Sequence, residues 1–140
     1  NTDLSVQHSA RTFISPRILM ARIFTKGKDD STNQHVKQYL MTELSQTDPS
    51  EVDWCMGAAL LLRNSFYKQL KGFDEGFFLY VEDMDICHRC WNLGKKVIYL
   101  PSSKMIHAHQ RSSQKINRKT FLHLKSMLYF FRKNRFKINR

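Results

Sequence analysis

Acidic residues are absent from the last part of this 140-residue chain. From 115 to 140 there is no Asp or Glu, against nine basic side chains: Lys115, Arg118, Lys119, Lys125, Arg132, Lys133, Arg135, Lys137 and Arg140. The whole chain holds 23 Lys and Arg against 12 Asp and Glu, so residues 1–114 are nearly balanced at 14 basic and 12 acidic. A nucleic-acid-binding domain usually spreads its positive potential over the folded surface. A near-neutral body with a cationic tail points instead to a catalytic or binding body with a basic appendage. Cysteine is also scarce. Three thiols cannot all pair, and a chain of this size needs no disulfide staple, so reduced thiols and a cytoplasmic setting are expected. No apolar run approaches the roughly 20 residues that span a bilayer, and no signal-peptide pattern opens the chain. There is no internal repeat and no low-complexity block.

What is present suits one compact body with a core: 41% of residues are hydrophobic and 12% aromatic, which argues against intrinsic disorder. Ser15-Pro16 reads as a helix entry, Ser15 as N-cap and Pro16 at the first helical position, with Gly27 beyond the end. Residues 25–50 are turn-rich and closed by Asp48-Pro49-Ser50. Their stripe of Val36, Tyr39, Leu40 and Leu44 is read as a mobile excursion outside the core. Val52–Leu62 is a continuous apolar run, the pattern of a strand buried on both faces. A short helix is expected over Asn64–Leu70 with Asn64 as its cap, and a second over Glu82–Leu93 with Gly94 as its stop. Short strands are expected at Lys96–Leu100 and Lys104–His109. The last element, Asn117 to about Lys133, is an amphipathic helix with Phe121, Leu124, Leu128 and Phe131 on one face.

Three carboxylates, Glu82, Asp83 and Asp85, crowd the start of one helix. Acids there are favourable against the helix dipole whatever else they do. Phe77, Phe78, Leu79 and Tyr80 lead straight into them, and a carboxylate against an apolar wall is where a general base is tuned. Asp85 and Arg89 stand at i, i+4 and can pair, which leaves Glu82 and Asp83 as the catalytic candidates. Cys87-His88-Arg89-Cys90 spells C-x-x-C, but one such pair inside a helix is read as packing rather than as a zinc site. Trp54 either stacks on a ligand ring or packs in the core. Gly57 would let a ligand approach the backbone. Asp74 and Glu75 are either loop caps or ligand-facing groups. Arg111, with Ser112 and Ser113, either contacts a phosphate or forms a polar loop.

These motifs carry a resemblance. Gly57-Ala58, then Gly72-Phe73-Asp74-Glu75, Phe77-Phe78, Tyr80, Glu82-Asp83, Asp85 and Arg89, then Gly94, Tyr99-Leu100-Pro101 and His107 follow one another in order. The series resembles the C-terminal half of a family 2 glycosyltransferase of the rhamnosyltransferase-like branch. Asp3, Gln7, Arg11 and Pro16 match the segment just after that family's donor domain, so the resemblance covers about residues 3–113. It implies an α/β chain, a partial GT-A fold holding the acceptor-side half. Residues 1–114 would form a short mixed sheet with flanking helices, and 115–140 a basic amphipathic helix and tail. It implies an inverting transferase in which Asp83 deprotonates the acceptor hydroxyl, with Glu82 beside it and Asp85 and Arg89 in support. His107 would help hold a divalent cation (Mg or Mn) on the leaving diphosphate, with His109 as a second possibility; the full-length enzyme would need that ion and these residues alone would not. The implied partners are a nucleotide-sugar donor and a glycan or lipid-linked acceptor of a bacterial surface polysaccharide, with rhamnose as one donor sugar. The family's nucleotide-binding half and its Asp-x-Asp motif have no counterpart here. Asp83-Met84-Asp85 has that spelling but belongs to the helix start, and Asp29-Asp30 sits in a polar loop. A fragment without transferase activity of its own is therefore expected. The alternative is a non-catalytic basic module on nucleic acid or anionic membrane. Of these the nucleic acid is disfavoured, whereas a tail peripheral on the inner face of the membrane fits lipid-linked acceptors.

Overall fold

The computed structural model describes residues 6–25, 27–29, 32–108, 118–135 and 137–138. Among them the order is β1 (Ala10–Arg11), α1 (Pro16–Phe24), α2 (Gln34–Leu40), β2 (Ser50–Glu51), β3 (Trp54–Cys55), α3 (Asn64–Gln69), α4 (Glu82–Asn92), β4 (Ile98–Tyr99) and α5 (Arg118–Lys133). The strands form two separate antiparallel ladders, β1 with β3 and β2 with β4, rather than one mixed sheet. The class is α/β as expected, with most of its mass in helices and connecting loops.

Helix α1 begins as its sequence dictates. The Ser15 hydroxyl accepts from the Ile18 amide, and Pro16 sits where no amide hydrogen is needed. Helix α2 is capped by Asn33, whose side chain accepts from the His35 and Val36 amides. This helix corrects the expectation of an excursion over 25–50. Val36 is fully buried, and Tyr39 and Leu40 join it in the main core. The apolar stripe was real, and packing on α1 and β1 gives it a floor. Helix α3 is capped by the backbone of Arg63; Asn64 is its first helical residue, not its cap.

The run from Val52 to Leu62 does not form one buried strand. Only Trp54–Cys55 is strand; Gly57, Ala58 and Ala59 are exposed, and Leu61 is 98% exposed. Periodicity alone cannot tell a buried apolar run from one that crosses the surface. The strand expected from Lys104 is likewise absent over 104–108, and His109 lies outside the described residues. The Lys96–Leu100 strand shrinks to β4.

One core joins all the larger helices. Ile18 and Ala21 of α1, Val36 and Leu40 of α2, Met84 and Ile86 of α4, and Phe130 and Phe131 of α5 belong to the same buried cluster. Helix α5 therefore packs on the body, but of the stripe its sequence suggests only Phe131 is buried. Phe130 and Ser126 are buried, whereas Phe121, Leu124 and Leu128 are 68%, 55% and 60% exposed. Its contact face is fixed by polar pairing. Lys133 Nζ lies 2.7 Å from both Asp74 Oδ2 and Asp85 Oδ1, and the Tyr129 hydroxyl donates to Asp74 at 3.1 Å. No helix among the described residues is long and apolar enough to cross a membrane.

Candidate active site

The Glu82-Asp83 pair is delivered by a strained turn. Tyr80 and Val81 precede it with φ of 62° and 77°, in the left-handed region that a β-branched residue avoids. Val81 is buried and caps α4 without any side-chain hydrogen bond. Two consecutive residues of this kind cost on the order of 1–3 kcal/mol each and persist only where the surroundings over-determine them, which happens most often at functional sites. The turn sets the first turn of α4 against the loop after β3.

Asp83 is half-buried there. Its Oδ2 accepts the Gly57 amide at 2.8 Å and its Oδ1 the amide of Met84 at 2.9 Å. A Cβ on Gly57 would lie 3.3 Å from Asp83 Cβ and 3.5 Å from Oδ2, so the missing side chain makes room for Asp83. Burial pushes the Asp83 carboxyl above the usual carboxylate range. The two amides and the Arg11 guanidinium pull against that rise without cancelling it. Glu82 is raised by the same desolvation and by its neighbour's charge. A carboxylate held by two amides, with elevated basicity, is suited to accept a proton.

Arg11 is the residue that sequence reasoning undervalued. It is 8% exposed, with its guanidinium carbon 5.2 Å from the Tyr39 ring centre and 5.9 Å from that of Trp54. Its Nη2 reaches the Met56 sulfur at 3.6 Å, and Nη1 is buried without a hydrogen-bond partner. Met56 immediately precedes Gly57, so Arg11 braces the loop that holds Asp83 and supplies the positive charge in its field. On the other side of Met56, Gln7 Nε2 contacts the sulfur at 3.8 Å while Gln7 Oε1 meets His107 Nδ1 at 3.0 Å. Gln7 and His107 are a hundred positions apart, and no spacing signal could have joined them.

The other candidates divide clearly. Of the two readings of Trp54 the structure shows packing: it is 8% exposed, and its indole N–H donates to the Thr12 carbonyl at 2.9 Å. Asp85 is fully buried and binds Arg89 Nε at 2.7 Å, as its spacing predicts, as well as Lys133. Arg89 also donates to the carbonyls of Leu70 and Gly72, tying α4 to the loop after α3. Asp74 accepts from Gly76, Tyr129 and Lys133, so it locks a turn against α5. Glu75 is exposed in that turn. Arg111, Ser112, Ser113 and Asp3 lie outside the described residues.

Cys55, Cys87 and Cys90 are free and buried, the packing outcome for the C-x-x-C spelling. Burial pushes the Cys55 and Cys87 thiols up to about 11 and about 12, so both stay protonated. Among the described residues no group of three or more His, Cys, Asp or Glu side chains could hold a metal ion. A surface hollow lined by Thr12, Ser15, Arg17, His35, Gln38 and Asp53 does not include Asp83.

Residues 6–128 match the family model described as "Glycosyl transferase family group 2", and the chain belongs to that family. Its relatives make it rhamnosyltransferase-like. It is 37% identical over 90 residues to the Rhamnosyltransferase WbbL of Escherichia coli (strain K12), which covers 64% of this chain and 34% of that protein. It is 40% identical over 68 residues to the N-acetylglucosaminyl-diphospho-decaprenol L-rhamnosyltransferase of Mycobacterium tuberculosis (strain ATCC 25618 / H37Rv), 47% of this chain and 22% of that one. The chain thus spans about a third or less of the length of these relatives. No solved structure matches.

Proposed function

We propose that this chain forms the acceptor-side part of an inverting glycosyltransferase, of partial GT-A architecture, with Asp83 as its general base. The observation that carries this reading is the Asp83 setting: a desolvated carboxylate held by the Gly57 and Met84 amides, behind a strained turn, in a chain of this family. The acceptor hydroxyl gives its proton to an Asp83 oxygen as its own oxygen attacks the anomeric carbon. The bond from that carbon to the diphosphate breaks, and the nucleoside diphosphate leaves with the electron pair. Attack opposite the leaving group inverts the anomeric configuration. Glu82, also raised in basicity, sits beside the base and disfavours a second ionised carboxylate there.

Supporting residues act through Asp83. The Asp85–Arg89 pair and the bonds of Arg89 to Leu70 and Gly72 fix α4, and Arg11 with Met56 fixes the Gly57 loop. The described residues carry no counterpart of the family's Asp-x-Asp motif, so they alone are not expected to turn over. The described side chains do not build a metal site by themselves, and no step here runs through a cation. His107, oriented through Gln7, is the residue we assign to contact a Mg or Mn ion held mainly by other ligands. The rhamnosyltransferase names of the relatives favour a deoxyhexose donor and a diphospholipid-linked glycan acceptor. The test is to incubate the intact protein with a panel of nucleotide sugars and lipid-diphosphate sugar acceptors. Nucleoside diphosphate release coupled to a product of inverted anomeric configuration by NMR is the expected result. Retention of configuration, or no transfer from any donor, would overturn the reading.

A further inference from the structure

Helix α5 has two apolar faces, and the body uses one of them. Phe130 and Phe131 are buried together with Ser126, and the partly exposed Lys133 is anchored on Asp74 and Asp85. Phe121, Leu124 and Leu128 face outward, each more than half exposed. At 1.5 Å per residue the row from Phe121 to Leu128 runs about 10 Å along the axis. Arg118, Lys125 and Arg132 recur at seven-residue spacing along the same side, all exposed. Helix α5 contains no acid, and the sequence from 115 to 140 contains none either.

We propose that this outward face docks the protein on an anionic lipid surface. Phe121, Leu124 and Leu128 enter the boundary between headgroups and acyl chains while Arg118, Lys125 and Arg132 meet the phosphates. Charge complementarity selects this occupant. A helix whose exposed apolar row runs beside cations and carries no acid matches the negative surface of a phospholipid leaflet. A protein partner's interface core is typically depleted in lysine, and a nucleic acid would leave the aliphatic pair Leu124 and Leu128 without a counterpart. The packed face stays intact in this arrangement, because Lys133 and Phe130 remain on the body. The proposal stands apart from the sugar-transfer reading, since a binding assay needs no donor.

The experiment is flotation of the intact protein with phosphatidylcholine vesicles, with and without phosphatidylglycerol, at low and high salt. Binding is expected only to the anionic vesicles and should weaken with salt. Phe121→Ser with Leu128→Ser should lower partitioning at least about tenfold, with an unchanged melting curve to exclude unfolding. Lys125→Gln with Arg132→Gln should lower it by about one to two orders of magnitude and weaken the preference for phosphatidylglycerol. No binding to anionic vesicles, or binding that both double variants leave unchanged, would overturn the proposal. So would a wild-type dimer that Phe121→Ser with Leu128→Ser dissociates in the absence of lipid, since a second copy would then be the occupant.

Discussion

Gly57→Ala isolates the placement of the carboxylate from the stability of the fold. Gly57 does not adopt the left-handed backbone, so alanine meets no conformational barrier there. Restricting the unfolded chain should stabilise the protein by about 0.4–1 kcal/mol. The new methyl would stand 3.3 Å from Asp83 Cβ and 3.5 Å from Oδ2, a few tenths of an ångström too close. Overpacking of that size costs on the order of 1 kcal/mol, so the two effects nearly cancel and stability should change by less than about 1 kcal/mol. Function should not be spared. Asp83 must retreat from the Gly57 amide, which donates to it at 2.8 Å. A displacement near 1 Å at a reacting group costs about a hundredfold, so a shift of a few tenths should lower kcat by roughly threefold to tenfold. The assay is steady-state sugar transfer by the intact protein, paired with urea denaturation. Wild-type kcat in a variant of unchanged stability would refute the placement of Asp83 against Gly57.

Lys133→Met removes two 2.7 Å contacts, one to the fully buried Asp85. Arg89 still covers Asp85, and Lys133 is partly exposed, so the cost should be about 2 kcal/mol rather than the 3–5 of a fully buried pair broken. The Asp74 carboxyl is held low chiefly by its hydrogen bond from Lys133. That share of the stability is present above the unfolded carboxylate range and is lost as pH falls through the folded value, so denaturation curves of variant and wild type should converge in acid. Arg11→Met removes a charge that holds Asp83 down, so the acidic limb of kcat/KM should move to higher pH, with Arg11→Lys nearer wild type. An unmoved limb would leave Arg11 a packing residue only. Asp83→Asn should gain on wild type in stability as pH rises, although its NH2 faces one of the two backbone N–H donors and costs a hydrogen bond at every pH. The folded state raises this carboxyl, so its favourable contribution holds at low pH and is lost as pH rises through the folded value. Melting curves at pH 4 and pH 8 should show the difference shifting in the variant's favour at the higher pH.

Local grammar was readable where one side chain decides the outcome. Ser15-Pro16 opened α1, Gly94 closed α4 with a φ of 65°, and the i, i+4 spacing of Asp85 and Arg89 became an ion pair. Asp83 could be singled out because motif order and an apolar approach coincided at one helix start. Apolar patterns were less informative, since a stripe does not say what covers it. Val36, Tyr39 and Leu40 looked like a loop decoration until α1 and β1 packed on them, while Leu61 looked buried and stands in solvent. On α5 both faces are apolar, and the choice between them came from Lys133 reaching Asp74 and Asp85, more than forty positions away. The strain at Tyr80 and Val81 had no signal, because neither residue type favours a left-handed backbone. Arg11 had none either: its role depends on two rings and a sulfur brought together from α2, β3 and the loop after β3.

The most direct measurement is single-turnover sugar transfer by the intact protein carrying Asp83→Asn, with donor and acceptor affinities measured alongside. An amide has the shape of the carboxylate but cannot take up a proton, so the transfer step should slow by about a hundredfold to ten-thousandfold while both affinities persist. Transfer at the wild-type rate would show that another group receives the acceptor's proton.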